Sequence, residues 1–233
     1  MADDPGNRLL ATLGSEDFRW LESQLERVDL PKGKVLAEEG EVLRETYFPH
    51  GSVVSLVRSM GDGRIAEIAT FGREGLVGLS FEGIPLQSFG RYIVQVPGAA
   101  SRIPTARLKR ASNTHPGIQD MMLRYTEMLM VLTLQSVACN AAHSIEARAC
   151  RWICATCDRV GRDDIPLTHE MLAMMLGVQR SSMSVVIHAL QSRGLIRQRR
   201  GHITIVDRPR LQQTACECYS ILRERYLQLL PLA

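Results

Sequence analysis

No uninterrupted apolar stretch in these 233 residues is long enough to cross a bilayer, and the opening MADDPGNRLL has neither the basic nor the apolar region of a secretory signal. A cytoplasmic protein without a membrane partner is therefore expected. A Walker-type phosphate loop, a GxSxG nucleophile elbow and an HExxH metal helix are also missing, so no enzyme chemistry is indicated. Net charge is small, +3, but unevenly placed: residues 1–142 hold 15 Lys or Arg against 17 Asp or Glu, and residues 143–233 hold 13 against 8. The basic surplus sits in the carboxy-terminal part, where it would attract phosphate. What is present is a chain with 45% hydrophobic residues, a globular composition of one or two domains.

The most informative segment runs from Pro166 to Val206, PLTHEMLAMMLGVQRSSMSVVIHALQSRGLIRQRRGHITIV. Thr168 can cap a first helix, Leu172, Met175 and Leu176 recur at helical spacing, and Gly177 stands where a helix ends left-handed. In a second helix Met183, Val186, Ile187 and Leu190 form one apolar stripe, leaving Ser181, Ser184, Val185 and His188 on the other side and Arg180 at the amino-terminal end. Gly194 closes that helix, and LIRQRRGHITIV gives two β-prone runs around Arg199, Arg200 and Gly201, a hairpin with a charged tip. This pattern is a winged helix-turn-helix, whose second helix is shaped to enter the major groove of double-stranded DNA. Helix amino termini favour phosphate and Arg can donate two hydrogen bonds to a guanine edge. The plainer alternative is a small helical subdomain with a solvated Arg face.

The run resembles the DNA-binding domain of the Crp/Fnr family of bacterial transcription regulators. The resemblance implies base reading by Arg180, Ser181 and Val185, the residues just inside the second helix. Ser181 and Val185 stand where named regulators often carry Glu and Arg, and Gln179 where Ser is usual, so a different and degenerate half-site is expected, with Val185 meeting a thymine methyl and DNA shape carrying more of the preference. Around these the predicted interface includes Thr168, His169, Gln179, Ser182, Ser184, His188, Arg199 and Arg200. His169 and His188 are also read as solvated surface histidines.

The amino-terminal half reads as an opening helix over 15–28 and then short strands at 34–37, 45–48, 51–59, 64–71, 92–96 and 99–103, punctuated by glycines, with MGDGR (60–64) as a hairpin. Such spacing indicates a sandwich or barrel. LPKGKVLAEEGE, YFPHGSVVSLV and FGREGLVG resemble, in that order, the jelly-roll cyclic-nucleotide-binding domain of the same family. The expected class is α+β: a β jelly roll (residues 1–114), a long dimerisation helix and hinge (115–142) and a winged helix-turn-helix domain (143–233). The resemblance implies an effector pocket near Glu74, Gly75, Arg91 and Tyr125. Gly75 falls where the family's ribose-binding Glu is expected, and Arg91 is one residue off the phosphate-binding Arg, which on a strand turns it to the other face. Cyclic AMP is therefore disfavoured, no cofactor is assigned, and Glu74 and Arg91 read equally as structural charges.

From Pro116 the residues Ile118, Met121 or Met122, Tyr125, Leu129, Leu132 and Ser136 repeat at steps of three and four, and Met128, Met130, Val131 and Leu134 make the helix apolar on more than one side. Pairing with a twin helix in a homodimer, or burial inside one domain, would cover it. A break is expected over 140–144, and a last helix over 211–230 packed on the winged domain. Cys150, Cys154 and Cys157 lie at i, i+4 and i+7, with Cys139 upstream and Cys216 and Cys218 near the end. Packing in a reduced core is the simpler reading, with no metal assigned; the alternative function is a thiol or iron–sulfur redox sensor using Cys139, Cys150, Cys154 and Cys157. For an activator, RNA polymerase would be a further partner.

Overall fold

Short β-branched runs separated by glycines cannot bury enough surface singly, so they pair and stack. A computed structural model of the chain describes residues 6–63, 65–80 and 87–230. Arg64, expected to open a strand, and residues 81–86 of the anticipated phosphate-binding stretch lie outside the described residues. A 3-10 turn at Leu10–Thr12 leads into α1 (Ser15–Glu22), whose first turn carries Glu16 and Asp17 where the helix dipole favours acids. The expected continuation of this helix to Val28 is wrong. Residues 26–30 form β1 (Glu26–Leu30) because they pair with a later strand from Glu26↔Arg102 to Leu30↔Gly98, and long-range pairing overrides the local pattern.

Then come β2 (Val35–Ala37), β3 (Glu45–Pro49), β4 (Val53–Ser59), β5 (Ile65–Phe71), β6 (Arg91–Val96) and β7 (Gly98–Pro104). They form two antiparallel sheets, β1-β7-β3 and β2-β6-β4-β5. Leu30, Tyr47 and Ala100 of the first sheet meet Val54, Phe71 and Val94 of the second in a shared core. Gly63, at φ +81°, makes the β4–β5 turn and donates its N–H to Met60 O.

Helix α2 (Thr105–Thr114), not foreseen, buries Leu108 and Ala111 and leads through His115 into α3 (Pro116–Ala142), with Pro116 in the first turn. The expected wide break is narrower: α3 runs through Ala142, and only His143 and Ser144 separate it from α4 (Ile145–Val160), which Ser144 caps. The winged unit follows as β8 (Asp164–Ile165), α5 (His169–Leu176), α6 (Arg180–Ser192), β9 (Ile196–Arg199) and β10 (His202–Ile205), with sheet order β8-β10-β9. Its core holds Ile153, Leu172, Met183, Ile187, Leu190 and Ile203.

The chain ends in two helices rather than one, α7 (Arg208–Thr214) and α8 (Cys218–Leu229). Instead of packing mainly on the winged unit, α8 lies along α3 and sends Leu222, Tyr226 and Leu229 to the core around Ile118, Met122 and Tyr125. Its apolar residues find there the helix face that the β sandwich leaves open. The stretch expected to pair between subunits is thereby largely used within one chain: Met121, Met122, Tyr125 and Met128 are buried. A neighbouring stripe of α3 stays outside, with Leu123 53%, Met130 60%, Leu134 64% and Val137 65% exposed. Among the described residues, no helix is long and apolar enough to cross a membrane.

Candidate nucleic-acid interface

Thr168 caps α5 by accepting a hydrogen bond from Met171 N, and Gly177 ends that helix at φ +64°. Val178 N then donates to Ala173 O, which folds the chain back toward α6. Met183, Ile187 and Leu190 are buried and Val186 partly so, which fixes the rotation of α6. Gln179, Arg180, Ser181, Val185 and His188 consequently face solvent, with Val185 70% exposed; Ser182 is half-buried. Gln179 makes no side-chain cap, as its residue type foretold, so the amino-terminal N–H groups of α6 are not capped by it.

The wing turns at Arg200 (φ +43°) and Gly201 (φ +82°) between the paired residues Arg199 and His202. Two successive positive φ values define the tight hairpin turn whose twist matches its strands, and Gly201 takes the second at no steric cost. Among the described residues Arg180, Arg197, Arg199 and Arg200 have no carboxylate partner, whereas Arg193 pairs with Glu146 and Arg208 with Asp158 and Asp163. The guanidinium groups of Arg193 and Arg208 are thus neutralised inside the domain. Those on the tip of α6 and along the wing are not, and Arg197 of β9, outside the predicted interface, joins the set.

His169 departs from the solvated reading. Its Nδ1 lies 3.0 Å from Ser184 Oγ and its Nε2 2.7 Å from Gln198 Oε1, so the half-buried ring links α5, α6 and the wing. Ser184 Oγ also donates to Arg180 O. These hydrogen bonds tie α6 to α5 and to the wing. His188 does face solvent, with Nδ1 3.3 Å from Ser192 Oγ.

In the β half the expected effector residues separate. Glu74, Gly75 and Tyr125 converge: Glu74 binds Arg159 of α4 (2.6 Å), and Tyr125 donates to Leu76 O (3.2 Å). Burial pushes the Tyr125 phenol well above its ordinary range. A Cβ on Gly75 would stand 2.1 Å from the Tyr125 hydroxyl, so a side chain at the position that the resemblance assigns to Glu would require the Tyr125 ring to move. Arg91 does not join them. It projects from β6 to the outer surface and pairs with Glu38 (2.7 Å), while Tyr92 beside it is buried, which is the alternation a strand imposes. Among the described residues, then, the Glu–Arg pair for a cyclic nucleotide is not formed.

Between the β sandwich, α3, α4 and α8 lies a cavity of about 360 Å³, bordered by Arg73, Glu74, Tyr125, Arg159, Leu222 and Tyr226. Around it the winged unit is docked on the sandwich. Arg73 Nε donates to Asp158 O (3.0 Å), Trp152 Nε1 to Glu67 Oε2 (2.9 Å), and Ser55 Oγ approaches Met175 Sδ (3.7 Å). Desolvation raises the Glu67 carboxyl pKa, more than the hydrogen bonds from Ser55, Trp152 and Thr70 lower it.

The four thiols considered for redox chemistry are not brought together. Cys150, Cys154 and Cys157 are buried in the winged core, and burial pushes each thiol up to about 12, away from reactivity. Cys139 instead meets Cys216, Cys218 and His143, a grouping hidden from spacing arguments because its halves are more than 70 residues apart.

Residues 147–214 match the Crp-like helix-turn-helix domain family. No curated protein matches the sequence. Among solved structures, FixK2 from Bradyrhizobium japonicum is 14% identical with a TM-score of 0.71, over 82% of this chain and 98% of that one. TTHB099, a CRP-family transcriptional regulator from Thermus thermophilus, is 18% identical (TM-score 0.66, 82% and 96%). CLP, a c-di-GMP-responsive global regulator from Xanthomonas campestris, is 16% identical (TM-score 0.65, 82% and 99%). Residues 147–214 thus carry a Crp-like helix-turn-helix domain, and the chain as a whole shares the fold of these solved regulators.

Proposed function

We propose that the protein is a cytoplasmic transcription regulator that acts as a homodimer on a palindromic DNA site. The observation that carries this reading is α6, held by a buried stripe so that Arg180, Ser181 and Val185 project outward beside a wing whose arginines lack internal partners. Pairing is supported by the second stripe of α3: Leu123, Met130, Leu134 and Val137 recur at steps of seven, four and three, the seam of a two-stranded coil. Two-fold pairing along α3 sets one recognition helix per half-site, with centres about 34–36 Å apart on the duplex. Gln179 and Ser182 at the start of α6, and Thr168 beside the wing, complete the phosphate-facing edge.

Control by an effector, in this reading, acts where Glu74, Tyr125 and Arg159 border the interdomain cavity, because a ligand that opens those contacts redirects α4 and with it α6. RNA polymerase is a partner if the regulator activates. The test is selection of bound sequences from random duplexes, followed by titration at fixed salt. Paired half-sites of low information content are expected. Arg180→Ala should lower affinity by about 5–150-fold, corresponding to about 1–3 kcal/mol for a bidentate base contact, and relax preference at one position. Unchanged affinity and preference would remove α6 from base reading.

A further inference from the structure

The last turn of α3 and the α7–α8 junction bring four soft donors to one point. Cys139 and His143 are one helical turn apart and so project to the same side, and Cys216 and Cys218 flank Glu217 across from them. The three sulfur atoms and one imidazole nitrogen all lie within 4.8 Å of one another. Cys139 Sγ is 3.5 Å from Cys216 Sγ, and Cys218 Sγ is 3.6 Å from His143 Nδ1. A tetrahedral zinc with bonds of about 2.3 Å to sulfur and about 2.0–2.1 Å to nitrogen needs donor separations of about 3.6–3.8 Å. We propose that Cys139, His143, Cys216 and Cys218 bind one zinc ion per chain.

The surroundings match this donor set. His143 turns Nδ1 toward the thiols while its Nε2 lies 3.1 Å from Glu217 Oε1, the carboxylate partner that fixes the tautomer of a metal-bound histidine. Gln135 Nε2 donates to Cys218 Sγ (3.0 Å), a bond that suits a thiolate. All three cysteines are buried, which shields a centre that would carry one net negative charge. Arg148 and Arg151 of α4 supply the balancing charge; the Nε of each is buried with no hydrogen-bond partner. An iron–sulfur cluster places several irons between its ligands, and four donors this close enclose one ion. A redox pair would use two of the three sulfurs and leave the third outside its chemistry. The ion would clamp the end of α3, next to the His143–Ser144 break, to the start of α8. It thereby ties the pairing helix to the segment that follows the wing.

The experiment uses the full-length chain purified without chelator or metal-affinity resin. Total metal analysis should give one zinc per chain. Replacement by cobalt(II) should give the intense visible bands of tetrahedral coordination with thiolate-to-metal charge transfer. Cys216→Ser with Cys218→Ser should abolish both signals, Cys157→Ala in the winged core should keep both, and Glu217→Gln should weaken zinc about 10–100-fold. If the double variant fails to fold, alkylation of the natural chain decides: zinc should protect Cys139, Cys216 and Cys218, and its removal should expose them. Protein that takes up neither zinc nor cobalt, a Cys139–Cys216 disulfide in the protein as purified, an iron–sulfur spectrum, or full metal content in the double variant would overturn the assignment. DNA binding enters none of these readouts.

Discussion

In the winged unit Arg180, Arg197, Arg199 and Arg200 face outward with no carboxylate partner among the described residues, whereas in the β half Glu74 is paired with Arg159 of α4, and Tyr125 of α3 fills the space beside Gly75. One region keeps its polar groups free for an external partner; the other has spent them on internal contacts. Sites of the first kind follow from a helix's own rotation, which a buried stripe of three or four residues fixes. Sites of the second kind depend on elements far apart in sequence. The contrast predicts that changes to the β half act through pairing and stability, and changes to the winged unit act on DNA directly.

The largest effect should come from the outer stripe of α3. Leu134→Asp with Val137→Asp places two charges on residues that are mostly exposed in the single chain, so the fold of one chain should persist. Sedimentation should then report a monomer, and operator affinity should fall by about 10²–10⁴-fold, the gain that comes from linking two half-site contacts. A dimer that survives both substitutions would move the seam elsewhere and leave α3 as an internal helix only. Gly75→Ala should come next. Its Cβ would meet the Tyr125 hydroxyl and ring, at 2.1 and 2.5 Å, and displacing a buried ring costs about 1–3 kcal/mol, read as a lower thermal midpoint. An unchanged midpoint would mean that the site beside Gly75 is not filled in solution.

The difference between these regions also explains what the sequence made legible. The winged helix-turn-helix was readable almost residue by residue, because Thr168, Gly177, Gly194 and the apolar stripe of α6 each act locally. Six β-strands were placed from turns and alternation, and the outward direction of Arg91 followed from its one-residue offset. β1 was hidden because ERVDL continues a helical pattern until β7 pairs with it. The placement of α8 against α3, the bridging role of His169 and the gathering of Cys139 with Cys216 all require two segments to meet, and no periodicity within either segment encodes that meeting. The same limit misdirected the reading of α3: its apolar residues were identified, but which stripe faces its own chain is decided by α8 and the β sandwich.

A smaller change sharpens the winged side. Arg199 is exposed on β9, next to the turn, and has no ion-pair partner among the described residues. If it meets phosphate, Arg199→Ala should weaken specific and random duplexes alike and lower the slope of log affinity against log salt by about 1. A loss confined to one operator sequence would instead make it a base reader.

The smallest expected effect tests the junction itself. Glu67 of β5 is half-buried beneath Trp152 of α4, and desolvation holds its carboxyl above the ordinary carboxylate value despite the hydrogen bonds it accepts. The folded chain therefore retains a proton at pH values where the unfolded chain has released it. By linkage, stability from this group is full below the ordinary carboxylate value and declines as pH rises through the raised one, the reverse of an exposed, ion-paired acid. Glu67→Gln keeps an acceptor for Trp152 and removes the titration. Its thermal midpoint should match the natural chain in acid and exceed it as pH rises above the ordinary carboxylate value. Equal midpoints across that range would place Glu67 in contact with water, and the two halves would then be joined by Glu74–Arg159 and Arg73–Asp158 without a buried acid between them.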